Sequence, residues 1–155
     1  MAQTTIYFGT AASPKITYSL SSSVAASGTD ISGLAVSATL PELDRKTGWS
    51  NTWDGDGAIG VYGKRDKTDM VLTCVYSPSS AGFMKDMVAI AEGASLASPL
   101  YFYVWPAASA AGREQIYLSG GLVSKVTRPT VDANSGDMFT YEVTIEFGTS
   151  TTTVL

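Results

Sequence analysis

Residues 139–147 read FTYEVTIEF. Phe139, Tyr141, Val143, Ile145 and Phe147 fall on one side of an extended chain, and Thr140, Glu142, Thr144 and Glu146 fall on the other. A period of two marks a strand with one face toward a core. Burying its five apolar side chains stabilises by roughly 10 kcal/mol at about 1.5–3 kcal/mol each. Ordering the backbone opposes this by a comparable amount, at ~1–2 kcal/mol per residue. The stretch therefore holds only with strands at its edges and another layer over its apolar face. That requirement makes the chain mostly β.

Moving outward, residues 70–76 (MVLTCVY) form a buried strand rich in β-branched and aromatic residues. Residues 34–40 (LAVSATL) alternate, with Leu34, Val36, Ala38 and Leu40 on one face and Ala35, Ser37 and Thr39 on the other. Residues 100–105 (LYFYVW) and 115–126 add two more strands, the second interrupted by Gly120–Gly121, which predicts a bulge or a close backbone approach. Residues 4–8 and 15–20 are weaker strands, and 21–33 has the composition of a loop. One helix is predicted over 81–92, after the capping serines of Ser77-Pro78-Ser79-Ser80 and before Gly93. Its apolar stripe is Phe83, Met84, Met87, Val88 and Ala91. Residues 41–69 form a long inter-strand segment with five glycines, Trp49 and Trp53, part of which, 58–62, reads as a strand of a hairpin. A segment of that length inside a small domain is usually functional.

The whole chain, 155 residues, suits one domain. A net charge of −4 argues against gripping nucleic acid by its phosphates. One cysteine, Cys74, excludes an internal disulfide, and its apolar surroundings predict a buried thiol. There is no histidine, hence no Ser-His-Asp or Cys-His pair and no imidazole ligand. The first residues lack the pattern of a signal peptide, and no apolar run approaches a membrane span. The expectation is synthesis in a reducing cytoplasm, no membrane partner and no enzymatic activity.

Motifs with chemical potential are better read as structure. Gly55-Asp56-Gly57-Ala58-Ile59-Gly60 matches a dinucleotide fingerprint by letter but lacks the preceding strand and following helix that such a site needs. Asp54-Gly55-Asp56-Gly57 lacks the further oxygen ligands of a calcium loop. Glu142 and Glu146 are spaced about 13 Å apart along a strand, too far for a glycosidase pair. Trp49, Trp53, Tyr62 and Trp105 could form a sugar platform, but aromatics beside a long loop more often anchor it or pack at a subunit interface. No cofactor or metal is implied.

The order of elements from Leu34 to Gly148 resembles the major tail tube proteins of long, non-contractile-tailed bacteriophages. The likeness runs through the 34–40 strand, the long 41–69 segment, the 70–76 strand and the serine-capped helix with Phe83 and Met87. It continues through LYFYVWP and the Gly120–Gly121 strand to the closing FTYEVTIEF strand. It implies a β-sandwich with one flanking helix that assembles into hexameric rings, in which one sheet from each subunit joins a shared barrel. It implies a lumen that holds the tape-measure protein and conducts DNA without specific binding. Ring stacking would fall on the 41–69 segment and a terminal arm, residues 1–12, with Tyr7, Phe8, Trp49, Trp53, Tyr62, Lys64 and Arg65 as contacts. Ser37, Thr39, Thr140, Glu142, Thr144 and Glu146 would face the lumen. The protein would sit in the virion tail, made in the host cytoplasm. Another virion part, such as a tail terminator, and a carbohydrate-binding or adhesion module are the alternatives.

Overall fold

The FTYEVTIEF stretch forms β9, Thr140–Phe147, with Tyr141, Val143, Ile145 and Phe147 buried. Its neighbours in this computed structural model are β8, Glu114–Thr127, and β6, Thr68–Val75. The structure describes residues 14–20, 28–51, 58–75, 81–93, 99–107, 111–130 and 139–155. The remaining described elements are β1, Lys15–Ser19; β2, Thr29–Asp30; β3, Ala35–Thr39; β4, Thr47–Asn51; β5, Ala58–Tyr62; α1, Ala81–Ala91; β7, Leu100–Trp105; and β10, Thr149–Val154. The expected strand at 4–8, the terminal arm with Tyr7 and Phe8, Trp53, most of the glycine motif and the capping serines lie outside the described residues.

β8 organises the fold. Its first half pairs with β7 on one side and β10 on the other, and its second half pairs with β9. The antiparallel order β2-β1-β7-β8-β9-β6-β3 therefore runs through β8, with β10 beside it. One leaf contains β2, β1, β7, the start of β8 and β10; the other contains the end of β8, β9, β6 and β3. β9 and β10 follow β8 in one register, Glu114↔Val154 through Leu122↔Glu146, across the corner at Gly120–Gly121 and Gly148. Gly120 has φ +69, and a Cβ on Gly121 would lie 2.6 Å from the Phe147 ring and 3.0 Å from the Leu100 carbonyl. The expected close approach at these glycines is thus the corner itself.

The leaves close on one core. Phe102 of the first meets Phe147 of the second edge-on at 5.7 Å, and Met70, Leu72, Leu100, Leu118 and Ile145 fill the space around them. Helix α1 caps this core with Phe83 and Met87, and Phe83 meets Tyr18 edge-on at 4.8 Å. The Tyr18 hydroxyl donates to Asp86 Oδ2 at 3.2 Å, tying β1 to the helix. Gly93, with φ +92, ends the helix and donates to the Ile90 carbonyl.

Several expectations change. The alternation in 34–40 is broken by a bulge between Ala35 and Ser37, so Ala35 turns inward opposite Cys74 and Val36 is exposed. Ile90, not Ala91, completes the inner side of the helix. Phe139 lies one residue outside β9 and is 41% exposed. Part of the expected 21–33 loop is core: Ile31 is buried, and its N–H donates to the Ile16 carbonyl at 3.0 Å. β10 was not expected, because TSTTTV carries no apolar alternation; it is held by backbone pairing to β8.

Two predictions follow from the packing. Gly121→Ala should destabilise the fold by about 1–3 kcal/mol, because the added methyl meets both a ring and a backbone carbonyl; denaturant unfolding reads this. On the alkaline side, burial and then Asp86 push the Tyr18 phenol up to about 12, and burial pushes the Cys74 thiol up to about 11 against a weaker pull from Tyr141. Both groups stay neutral in the fold while the open chain ionises. Their contribution is therefore complete below their ordinary values of 9.0 and 10.0 and is lost as pH rises to about 11 and 12. Urea unfolding from pH 8 to 12 should show that fall, and Tyr18→Phe should make it shallower.

Candidate assembly interface

The outer face of the second leaf is built by strand register. Directly paired residues share a face, so Ser37, Thr73, Glu142 and Thr127 form one row across β3, β6, β9 and β8. Thr39, Val71, Thr144 and Lys125 form the next, and Asp69, Glu146 and Leu122 the third. Thr140 lies opposite Val75 at one end. All six residues expected to face a lumen, Ser37, Thr39, Thr140, Glu142, Thr144 and Glu146, are therefore on one surface. The rows hold three carboxylates, Asp69, Glu142 and Glu146, and one ammonium, Lys125. A second ammonium, Lys67, reaches in from beside the leaf to pair with Glu146.

This leaf has two open margins. Among the described residues, β3 pairs with β6 alone, and the second half of β8 pairs with β9 alone. Each margin carries an exposed apolar side chain, Val36 on β3 and Leu122 on β8. Open strand margins template pairing with another chain.

The long 41–69 segment is an arm rather than an irregular loop. β4 and β5 pair with each other, Thr47↔Tyr62 to Asn51↔Ala58, and with no other described strand. Trp49 and Tyr62 lie on one face of this ribbon and Ile59 and Val61 on the other, and all four are exposed, Trp49 at 70% and Tyr62 at 73%. An isolated two-stranded ribbon is marginal in water, and apolar side chains clustered on both of its faces mark a contact surface. The Trp49 ring packs against Gly60, where a Cβ would sit 2.8 Å from it. The Arg45 guanidinium covers the Tyr62 ring at 4.6 Å.

Lys64 and Arg65, expected among the stacking contacts, sit at the arm's base. The ribbon register sends the chain outward from Thr47 and back at Tyr62, leaving Lys64 and Arg65 beside the body. Arg65 donates to the Ser150 carbonyl of β10 at 3.2 Å, and Lys46 pairs with Asp66 at 3.1 Å. These contacts are within the chain and fix how the arm leaves it. Lys64 is exposed.

Sequence reasoning missed one concavity. Met84 and Val88 of α1, Val126, Arg128 and Pro129 at the end of β8, and Phe139 and Tyr141 at the start of β9 line an apolar groove of about 490 Å³. Its residues come from three separate elements, so no local pattern announces it. Arg128, the one charged residue among its described lining, pairs with Glu92 at 2.6 Å. Chemistry elsewhere is sparse: the Cys74 thiol is buried and held neutral by its surroundings, which makes it a poor nucleophile. Among the described residues no cluster of three or more acidic or cysteine side chains could hold a metal, and no helix is long and apolar enough to cross a membrane.

The sequence matches no family model and no curated protein. Similarity appears at the level of the fold. A chain of the sheath–tube complex of an extracellular contractile injection system (PVC) aligns with TM-score 0.69 at 13% identity, over 92% of this chain and 88% of that one. The tube-terminating cap of the anti-feeding prophage aligns with TM-score 0.71 at 13% identity, over 100% and 95%. A chain of the PVC sheath/tube terminator aligns with TM-score 0.65 at 14% identity, over 91% and 93%. The chain thus shares the fold of tube, cap and terminator structures of contractile injection systems, a tail-tube-like fold that does not by itself select the non-contractile type.

Proposed function

We propose that this chain is the repeating subunit of a tail tube in a phage or phage-related injection particle, and that it acts by self-assembly rather than catalysis. The observation that carries the reading is the second leaf: an acidic and polar outer face on four strands whose two margins are unpaired among the described residues. Those strands alternate in direction, so a copy rotated about an axis along them sets its β3 antiparallel to the β8 margin of the next. Six such copies make a barrel roughly 115 Å around at ~4.8 Å per strand, which is a conduit wide enough for duplex DNA. The rows of Ser37, Thr39, Thr140, Glu142, Thr144 and Glu146 line it. An acidic wall leaves phosphates their counterions, so DNA passes without being held. The same lumen would house a tape-measure protein before ejection. Ring-to-ring contact falls on the β4–β5 arm, with the residue 1–12 arm, Tyr7, Phe8 and Trp53 added to it. The particle is the tail of a virion of the non-contractile kind, its subunits made in the host cytoplasm.

A terminator or cap is the second reading, favoured by the likeness to two such structures. The two readings differ in behaviour: a tube subunit polymerises alone, whereas a terminator stops at one ring.

Electron microscopy of the purified protein should show tubes with a regular axial repeat. Rings that never stack would favour the terminator, and a monomer at all concentrations would exclude both. Removing residues 47–62 should leave a body whose unfolding free energy stays within about 1 kcal/mol of the parent, since exposed residues contribute little, while tubes disappear. The lumen assignment has its own test. Glu142→Lys combined with Glu146→Lys should leave tubes intact but make them retain DNA at physiological salt, whereas parent tubes release it; unchanged release would remove these residues from the lumen.

A further inference from the structure

The arm and the apolar groove lie at opposite ends of the second leaf. The arm enters β6 at Thr68, which pairs with Phe147. The groove is built where β6 ends, since Val75 pairs with Thr140 between the groove residues Phe139 and Tyr141. Eight residues of β6 set the two features about 23 Å apart along the strand direction at ~3.3 Å per residue. Among the described residues, one copy therefore presents an exposed apolar ribbon at one pole and an apolar concavity at the other.

We propose that the groove beside α1 is the socket for the β4–β5 arm of a second copy in the next ring, with Trp49 as the side chain it takes. This rests on the tube reading and names its stacking contact.

Several observations favour this occupant. Neither β4 (TGWSN) nor β5 (AIGVY) contains a charged residue, so the side chains of these strands, Trp49 among them, enter an apolar site without stripping water from a charge; the ribbon's two aspartates, Asp54 and Asp56, belong to the connection between the strands. The one charged residue among the described lining of the groove, Arg128, is already paired with Glu92. The volume of about 490 Å³ is in the range of sites that enclose an aromatic group. The Trp49 ring packs against Gly60 of its own ribbon while staying exposed, and an aromatic side chain is the usual anchor of an interface. Tyr62, on the same face and equally exposed, meets Arg45 at the base of the ribbon, whereas Trp49 stands farther out along it. A contact between two different surfaces at opposite poles does not close on itself; it extends into a filament, the symmetry a stack of rings requires.

The test uses the full chain in complementary variants. Trp49→Ala removes the anchor and keeps the groove; Val88→Asp spoils the groove and keeps the arm. Phe139→Ser, at a position 41% exposed, is a second groove variant that leaves the core untouched if Val88→Asp fails to fold, as judged by its thermal midpoint. Each folded variant alone should raise the concentration needed for tube growth by roughly tenfold or more. An equimolar mixture of the arm and groove variants restores one good arm against one good groove. Sedimentation should then show stacked pairs that go no further. Folded groove variants that grow tubes at the parent concentration would overturn the socket while leaving the tube reading in place, as would a mixture without pairs. A parent protein that never forms rings or tubes would overturn both.

Discussion

The Phe147 ring occupies the space that a side chain on Gly121 would need, and the Leu100 carbonyl closes the same space from the other side. That contact sets the corner at which β8 passes from one leaf to the other. With Gly120 at φ +69 and Gly148 opposite, both strands of the ribbon bend together without losing register. One pair of strands thereby belongs to both leaves. The leaves can face each other across Phe102 and Phe147, and the inner sides of β6, β7 and β9 become a shared core. A bulkier residue at the corner would force the leaves apart and expose the aromatic contact between them.

A consequence of that closure is a division of surfaces. The core consumes one side of each leaf, leaving the other side of β3, β6, β9 and β8 as a polar sheet with open margins. The arm receives nothing from the core. Its base is fixed by Arg65 to the Ser150 carbonyl and by the exposed Lys46–Asp66 pair, interactions that individually stabilise by at most about 1 kcal/mol. They suffice to direct a ribbon but not to bury it. Among the described residues the lone subunit carries unpaired strand margins and apolar side chains in water, both of which association would satisfy.

The fold is shared with tube, cap and terminator structures at 13–14% identity, so little of it depends on particular residues. What the architecture requires is alternation on the strands, small residues at the corner and a helix with one apolar stripe. Those requirements are met by many sequences, and the same fold serves tubes and caps alike. Function therefore rests on the surfaces the core leaves free.

Alternation in 139–147 and 70–76, the glycine pair at 120–121 and the stripe of Phe83 and Met87 were legible from the sequence because each is a local consequence of backbone period or residue size. The six polar residues later found on one face were legible as strand alternation, although their common surface depends on the pairing of β3, β6 and β9. Val36 and Ala35 were misassigned because a bulge is set by the partner strand, not by the strand's own pattern. β10 and Ile31 were missed because backbone pairing and a distant carbonyl hold them, with no hydrophobic period to betray them. The sequence by itself determined that the protein is β-rich, acidic and without histidine chemistry, since those follow from residue type and spacing. Only the tertiary structure decided that the charged segment is an arm, that its basic residues brace its base and that an apolar groove lies at the far pole, because each depends on which distant strands meet.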